Sequence, residues 1–144
     1  MSTPIRRQYL SIKRQYPDVI VFFRLGDFYE TFDEDAKIAS RVLDITLTSR
    51  GGMHSKSAER IPMAGIPYHA AQGYIARLIA AGHKVAVVEQ VGEPNGRDLV
   101  ERRVTRVVTP GTVTDPELLD GASNRFIAAA LCEGSRAGLA IADL

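Results

Sequence analysis

Phe28 and Glu30 stand one residue apart in the segment Gly26-Asp27-Phe28-Tyr29-Glu30. In an extended chain successive side chains alternate, so the ring and the carboxylate share a face. The pair suits a core poorly, because burial would strip the carboxylate of its water. It suits a nucleobase better: the ring stacks on the π-face and the acid accepts a hydrogen bond from the base edge. Aromatic-x-acid triplets are abundant, and taken alone the commoner reading is a packing ring beside a solvated acid. A second chemistry is open as well. Asp27, Glu30, Asp33 and Asp35 could hold a divalent metal for phosphodiester hydrolysis, a nuclease-like use. Against it, Asp33 and Asp35 are what a helix N-terminus attracts. A third reading is a structural module that docks other domains. His54, His69 and His83 are too scattered for a zinc site, Cys132 is the single cysteine, and no G-x-x-x-x-G-K-[ST] phosphate loop occurs. No catalysis is therefore expected from these residues, nor any metal or cofactor bound to them.

The elements that must hold this pair follow from periodicity. Thr3-Pro4 opens a helix with a hydroxyl at the N-cap and proline in the first turn. Ile5, Tyr9, Ile12 and Tyr16 form one apolar stripe before Pro17 stops it. Val19 to Phe23 reads as a buried strand, Gly26-Asp27 as a break, and Phe28 to Phe32 as a second extended segment. Asp33 would cap a helix from Glu34 to Leu43, with Ile38, Val42 and Leu43 inward. Ile45 to Thr48 alternates like a strand, and Arg50 to Arg60 reads as a loop. Pro62 to Pro67, bracketed by prolines, suits a rigid connection better than a regular element. A helix over 70–81 follows, with Tyr74, Leu78 and Ile79 inward and Gly82 after its C-cap. Strands are expected at Val85 to Val91 and Arg102 to Thr109, with a loop from Gly92 to Arg97 between them. Alternation places Arg102 and Arg106 on one strand face and Arg103 on the other. The fold class is α/β (α+β), one mixed β-sheet flanked by helices.

After a polar stretch from Thr114 to Asn124, Phe126 to Leu131 and Leu139 to Ile141 read as two strands around Gly134-Ser135-Arg136. The sequence stops at Leu144 inside an apolar strand pattern, which reads as a cut from a longer protein. The expected division is a first domain over 1–115 and the opening strands of a second, incomplete domain over 116–144. A two-stranded hairpin is marginal alone in water, so it is expected to lean on the first domain or on a neighbouring molecule.

The 144 residues are 45% hydrophobic and 24% charged, the mix of an ordinary globular protein. A lone cysteine and no signal or membrane-length segment point to a soluble, reducing, cytoplasmic setting. The net charge of +1 argues against a strongly electrostatic nucleic-acid binder. Charge is uneven, with Arg6, Arg7, Lys13 and Arg14 early, Arg97, Arg102, Arg103 and Arg106 late, and acids between. A solvated face is the ordinary meaning of each cluster.

GDFYETF (26–32) followed by DEDAK (33–37) resembles the phenylalanine-x-glutamate signature of the MutS mismatch-recognition domain. LDITLTSRG (43–51), PMAGIPYHA (62–70), VAVVEQVGEP (85–94) and VTRVVTPGT (104–112) resemble further blocks of that family in the same order. The resemblance covers about residues 3 to 119. It implies that Phe28 wedges onto a mispaired or unpaired base from the minor groove of kinked DNA and that Glu30 hydrogen-bonds that base. It also implies that Arg50, the segment from Met63 to Pro67 and His69 lie beside the duplex, with 116–144 opening the connector domain. The partners it implies are mismatched double-stranded DNA, the remaining domains of the same chain and a homodimer mate. ATP and Mg²⁺ would belong to a C-terminal ATPase domain beyond Leu144, and the setting would be the bacterial nucleoid.

Overall fold

Pro4–Gln15 forms the first helix, α1, in the computed structural model, which describes residues 3–50, 60–92, 100–111, 124 and 126–143. The expected cap is present: Thr3 Oγ1 accepts from the Arg6 amide at 3.3 Å, with Pro4 in the first turn. Tyr9 and Ile12 carry the apolar stripe inward, and Tyr16 ends the helix. The loops expected at 51–59 and 93–97, the polar stretch at 114–123, the boundary at 115/116, His54 and Arg97 lie outside the described residues.

The strands β1 (Ile20–Leu25), β2 (Phe28–Phe32), β3 (Thr48–Arg50), β4 (Ile61–Pro67), β5 (Val85–Val91) and β6 (Glu101–Val108) make one sheet. Its order is β3-β4-β2-β1-β5-β6, with β1 and β5 parallel and every other pair antiparallel. Helices α2 (Asp33–Leu43) and α3 (Ala71–Ala80) cover one face, a short 3₁₀ turn (Tyr68–Ala70) leading into α3, and α1 covers the other. The α2/α3 core contains Phe22, Tyr29, Ile66, Leu78, Ile79 and Val85. The α1 core contains Tyr9, Val21, Phe23, Phe32 and Val88. The alternation of β1 is thus buried on both sides, which is why it reads as a continuous apolar run. The mixed sheet with flanking helices is the expected fold class.

Four expectations need correction. Pro62 to Pro67 is not a connection but lies within β4. Among the described residues Pro62 pairs only with Ser49 of β3 and Pro67 only with Phe28 of β2. Each proline therefore has one side with no partner strand, where a missing N–H breaks no ladder. Asp33 does not cap α2: Phe32 stands at the N-cap without a side-chain bond, and the Asp33 carboxylate is taken by Arg6 of α1. Ile45 begins no strand. It is tied back to the end of α2, where the Ser40 hydroxyl donates to its carbonyl at 2.6 Å and its amide donates to the Ser40 carbonyl at 3.2 Å. Finally, Arg102 and Arg106 lie on opposite faces. A register shift at Val87/Val88 inserts Thr105 as an extra residue in β6, and such a bulge reverses the alternation.

The last two strands, β7 (Phe126–Glu133) and β8 (Arg136–Asp143), form a separate antiparallel hairpin turning at Gly134. Both strands are exposed along their whole length. Of the two supports expected for the hairpin, the first domain does not cover it, and Phe126, Leu131, Leu139 and Ile141 stand exposed in the single chain.

Candidate nucleic-acid interface

The β1–β2 turn decides where Phe28 stands. Leu25 faces Phe28 directly across a two-residue connection, Gly26-Asp27. Gly26 takes φ 59°, the left-handed value that a type II′ hairpin turn requires at its first central residue. The Asp27 carbonyl accepts from the Tyr68 amide at 2.9 Å, which ties the turn to the end of β4. Phe28 is 50% exposed, and the ring pairs of the described residues leave it out. Half-exposure forgoes roughly 1 kcal/mol of apolar burial.

Glu30 is half-buried and lies on the same face as Phe28, because Phe23 of the α1 core is its partner across β1. Gly65 is its partner across β4, and Pro67 is the partner of Phe28. On this face the sheet presents, row by row, Leu25–Phe28–Pro67 and then Phe23–Glu30–Gly65. The next β2–β4 row, Phe32–Met63, is already packed against α1. Leu25 still packs against the α1 core, whereas Phe28 is half exposed, so Phe28 and Glu30 stand at the edge of that cover.

On the reverse face the same strand ends are knitted together. The Arg24 guanidinium lies 3.8 Å over the Tyr68 ring and 5.6 Å over the Tyr29 ring, and reaches Glu89 at 3.9 Å. The Tyr29 hydroxyl donates to Glu89, and Arg24 also donates to the Gly26 carbonyl. Burial, then the Glu89 carboxylate that accepts its proton, pushes the Tyr29 hydroxyl up from 10.0 to about 12. A group whose folded pKa is raised contributes stability that is present below its unfolded pKa and is lost as pH rises through the folded one. The loss thus falls between about pH 10 and 12. An alkaline melting series should show Tyr29→Phe less sensitive than the parent in that window; equal slopes would contradict the assignment.

Of the residues expected at the site, the fold brings Phe28, Glu30 and Pro67 together. His69 is exposed in the 3₁₀ turn, 6.0 Å from the Tyr68 ring and edge-on to it. Met63 is on the correct face but half-buried against the α1 core. Arg50 pairs with Ile61, six residues from Pro67 along β4, or roughly 20 Å. It is not brought to the Phe28 end. Gly65, inside the expected segment Met63 to Pro67, falls directly across from Glu30, whereas Tyr68 and Arg24 carry no signal in the sequence, because their place depends on cross-strand register.

The carboxylates of the nuclease alternative are dispersed among other partners. Asp33 pairs with Arg6, and Asp35 is buried against Lys13, Tyr9 and the Val21 amide. Among the described residues no three His, Cys, Asp or Glu side chains group as metal ligands. The late basic run is likewise engaged. Arg102 is buried over the Phe23 ring and donates to the Arg24 carbonyl and to Gln8, while Arg103 pairs with Glu101. Arg106 donates to Gln72. Among the described residues no helix is long and apolar enough to cross a membrane.

The sequence model of the family described as MutS domain I matches residues 3–117. The chain belongs to the MutS domain I family. Among its relatives, the DNA mismatch repair protein MutS of Anaeromyxobacter dehalogenans is 56% identical over 141 residues, covering 98% of this chain. The proteins of the same name from Dehalococcoides mccartyi and Pelotomaculum thermopropionicum are 54% and 55% identical, covering 99% and 96% of it. The chain spans 16% of the length of each of these curated relatives. In this MutS domain I, then, the six-stranded sheet and its three helices fall within the matched residues, and the β7–β8 hairpin lies after them.

Proposed function

We propose that this chain is the mismatch-reading end of a DNA mismatch repair protein, in which Phe28 stacks on a mispaired or unpaired base and Glu30 hydrogen-bonds its edge. The observation that carries this reading is the half-exposed Phe28 ring beside the Glu30 carboxylate on one sheet face, where the cover of α1 ends. The wedge enters the minor groove of a duplex kinked at that step, and a mispair lowers the cost of unstacking and bending. A carboxylate facing DNA is repelled by phosphates, so it penalises generic binding and is compensated only by a base that satisfies it. Pro67, Met63 and His69 line the approach, and Arg50 meets the duplex well away from the wedge. Binding, not catalysis, is the work of these residues. ATP hydrolysis with Mg²⁺, the homodimer contacts and residence on the nucleoid belong to a full-length protein of the relatives' size, as does a connector domain that begins near residue 116.

The test is equilibrium binding of the full-length protein to a duplex with one mispair and to its matched control. Glu30→Ala separates this reading from a docking module. It removes a base contact and a repulsion together, so matched DNA is expected to bind as well as before or better, while the mismatch preference shrinks. A variant that keeps the parent's preference would rule out the role given to Glu30.

A further inference from the structure

Gly65 sits in the interior of β4, yet among the described residues nothing requires a glycine there. Its φ is not in the left-handed region, unlike those of Gly26, Gly82, Gly92 and Gly134. A Cβ at Gly65 would lie 3.5 Å from the Tyr29 carbonyl oxygen and 3.7 Å from Glu30 Cγ, ordinary van der Waals separations. A mid-strand glycine costs stability relative to alanine through backbone entropy and lost packing. Where no turn, bulge or internal crowding explains it, the remaining reason is the close approach of something outside the chain.

The position of the gap says what approaches. Gly65 lies directly across from Glu30, between Met63 and Pro67 on its own strand, and diagonal to Phe28. Among the described residues β3 pairs with β4 only through Ile61–Met63, so beside Gly65 the strand has no further neighbour on that side. The result is a notch in the side-chain layer one strand spacing, about 4.8 Å, from Glu30. We infer that Gly65 is a specificity-determining position, its missing side chain admitting the deoxyribose of the nucleotide whose base is held by Phe28 and Glu30. The inference rests on the base-reading function proposed above. A sugar edge is an apolar surface of C–H groups that can lie flat on bare strand backbone, and a base paired in an undistorted duplex does not bring its sugar this deep.

The test uses Gly65→Ala, Gly65→Val and Phe28→Ala in the full-length protein, with thermal melting beside binding to mispaired and matched duplexes. Melting of Gly65→Ala should be unchanged or higher, since it removes backbone freedom from the unfolded chain at a compatible conformation. Mismatch affinity should fall about tenfold with alanine and further with valine, while matched affinity changes less than about twofold. Mismatch affinity preserved in Gly65→Val, with Phe28→Ala impaired, overturns this inference and leaves the base-reading function standing. If Phe28→Ala is also silent, the function itself fails. A Gly65→Ala protein melting more than about 5 °C lower would show an internal reason for the glycine and would also overturn it.

Discussion

Replacing Phe28 with alanine is expected to lower the affinity of the full-length protein for a mispaired duplex by roughly ten- to a hundredfold. Stacking of a base on an aromatic ring is worth about 1–3 kcal/mol by alanine substitution, and no described ring or guanidinium stacks on Phe28 to compensate. Matched DNA, held mainly through its phosphates, should lose far less. The substitution should cost the fold only about 1 kcal/mol, because the ring is already 50% exposed. Phe28→Tyr keeps the ring and adds a hydroxyl that needs a partner, so it should retain part of the preference. Fluorescence anisotropy on paired duplexes checks the result. An unchanged ratio of mispaired to matched affinity in Phe28→Ala would make the ring a packing residue and sink the proposed function.

The largest expected effect on stability is at Asp35. Its buried carboxylate accepts from the Tyr9 hydroxyl at 3.1 Å, the Val21 amide at 3.1 Å and Lys13 Nζ at 2.9 Å. One side chain of α2 thereby fastens α1, β1 and its own helix together. Asp35→Ala leaves the Val21 amide and the Tyr9 hydroxyl buried without this acceptor and Lys13 without its counter-ion. Breaking a buried pair by removing one partner costs about 3–5 kcal/mol. Lys13 is 26% exposed and can turn to water, which favours the lower end. Since small domains are stable by only about 5–15 kcal/mol, the variant should unfold at a much lower urea midpoint. Asp35→Asn, which keeps an acceptor for the amide but offers Lys13 no charge, should fall between. A loss below about 1 kcal/mol in Asp35→Ala would mean that the three bonds are redundant. Stabilisation of the parent by Mg²⁺ that disappears in Asp35→Ala would instead return Asp35 to the metal-binding alternative.

Local rules made much of this protein readable from its sequence. The Thr3-Pro4 cap, the stripe through Tyr9 and Ile12, the turn at Gly26 and the uninterrupted apolar run of β1 are each set by neighbours a few residues away. The pairing of Phe28 with Glu30 on one face belongs to the same class, since it needs only an extended strand. Partner strands lie outside that reach. Pro62 to Pro67 looks like a breaker until β2 and β3 each leave one proline an open side. The reversal of Arg106 relative to Arg102 depends on a bulge that shows only against β5. Asp33 suits a helix cap by type, but Arg6, twenty-seven residues earlier in the chain, takes its carboxylate. For the interface, the sequence by itself determined which ring and which acid could read a base. Only the tertiary structure decided which residues of the Met63–Pro67 segment stand across from them, Gly65 from Glu30 and Pro67 from Phe28, that Tyr68 joins that end and that Arg50 does not, because register across a sheet is settled by long-range pairing and by the burial of both faces.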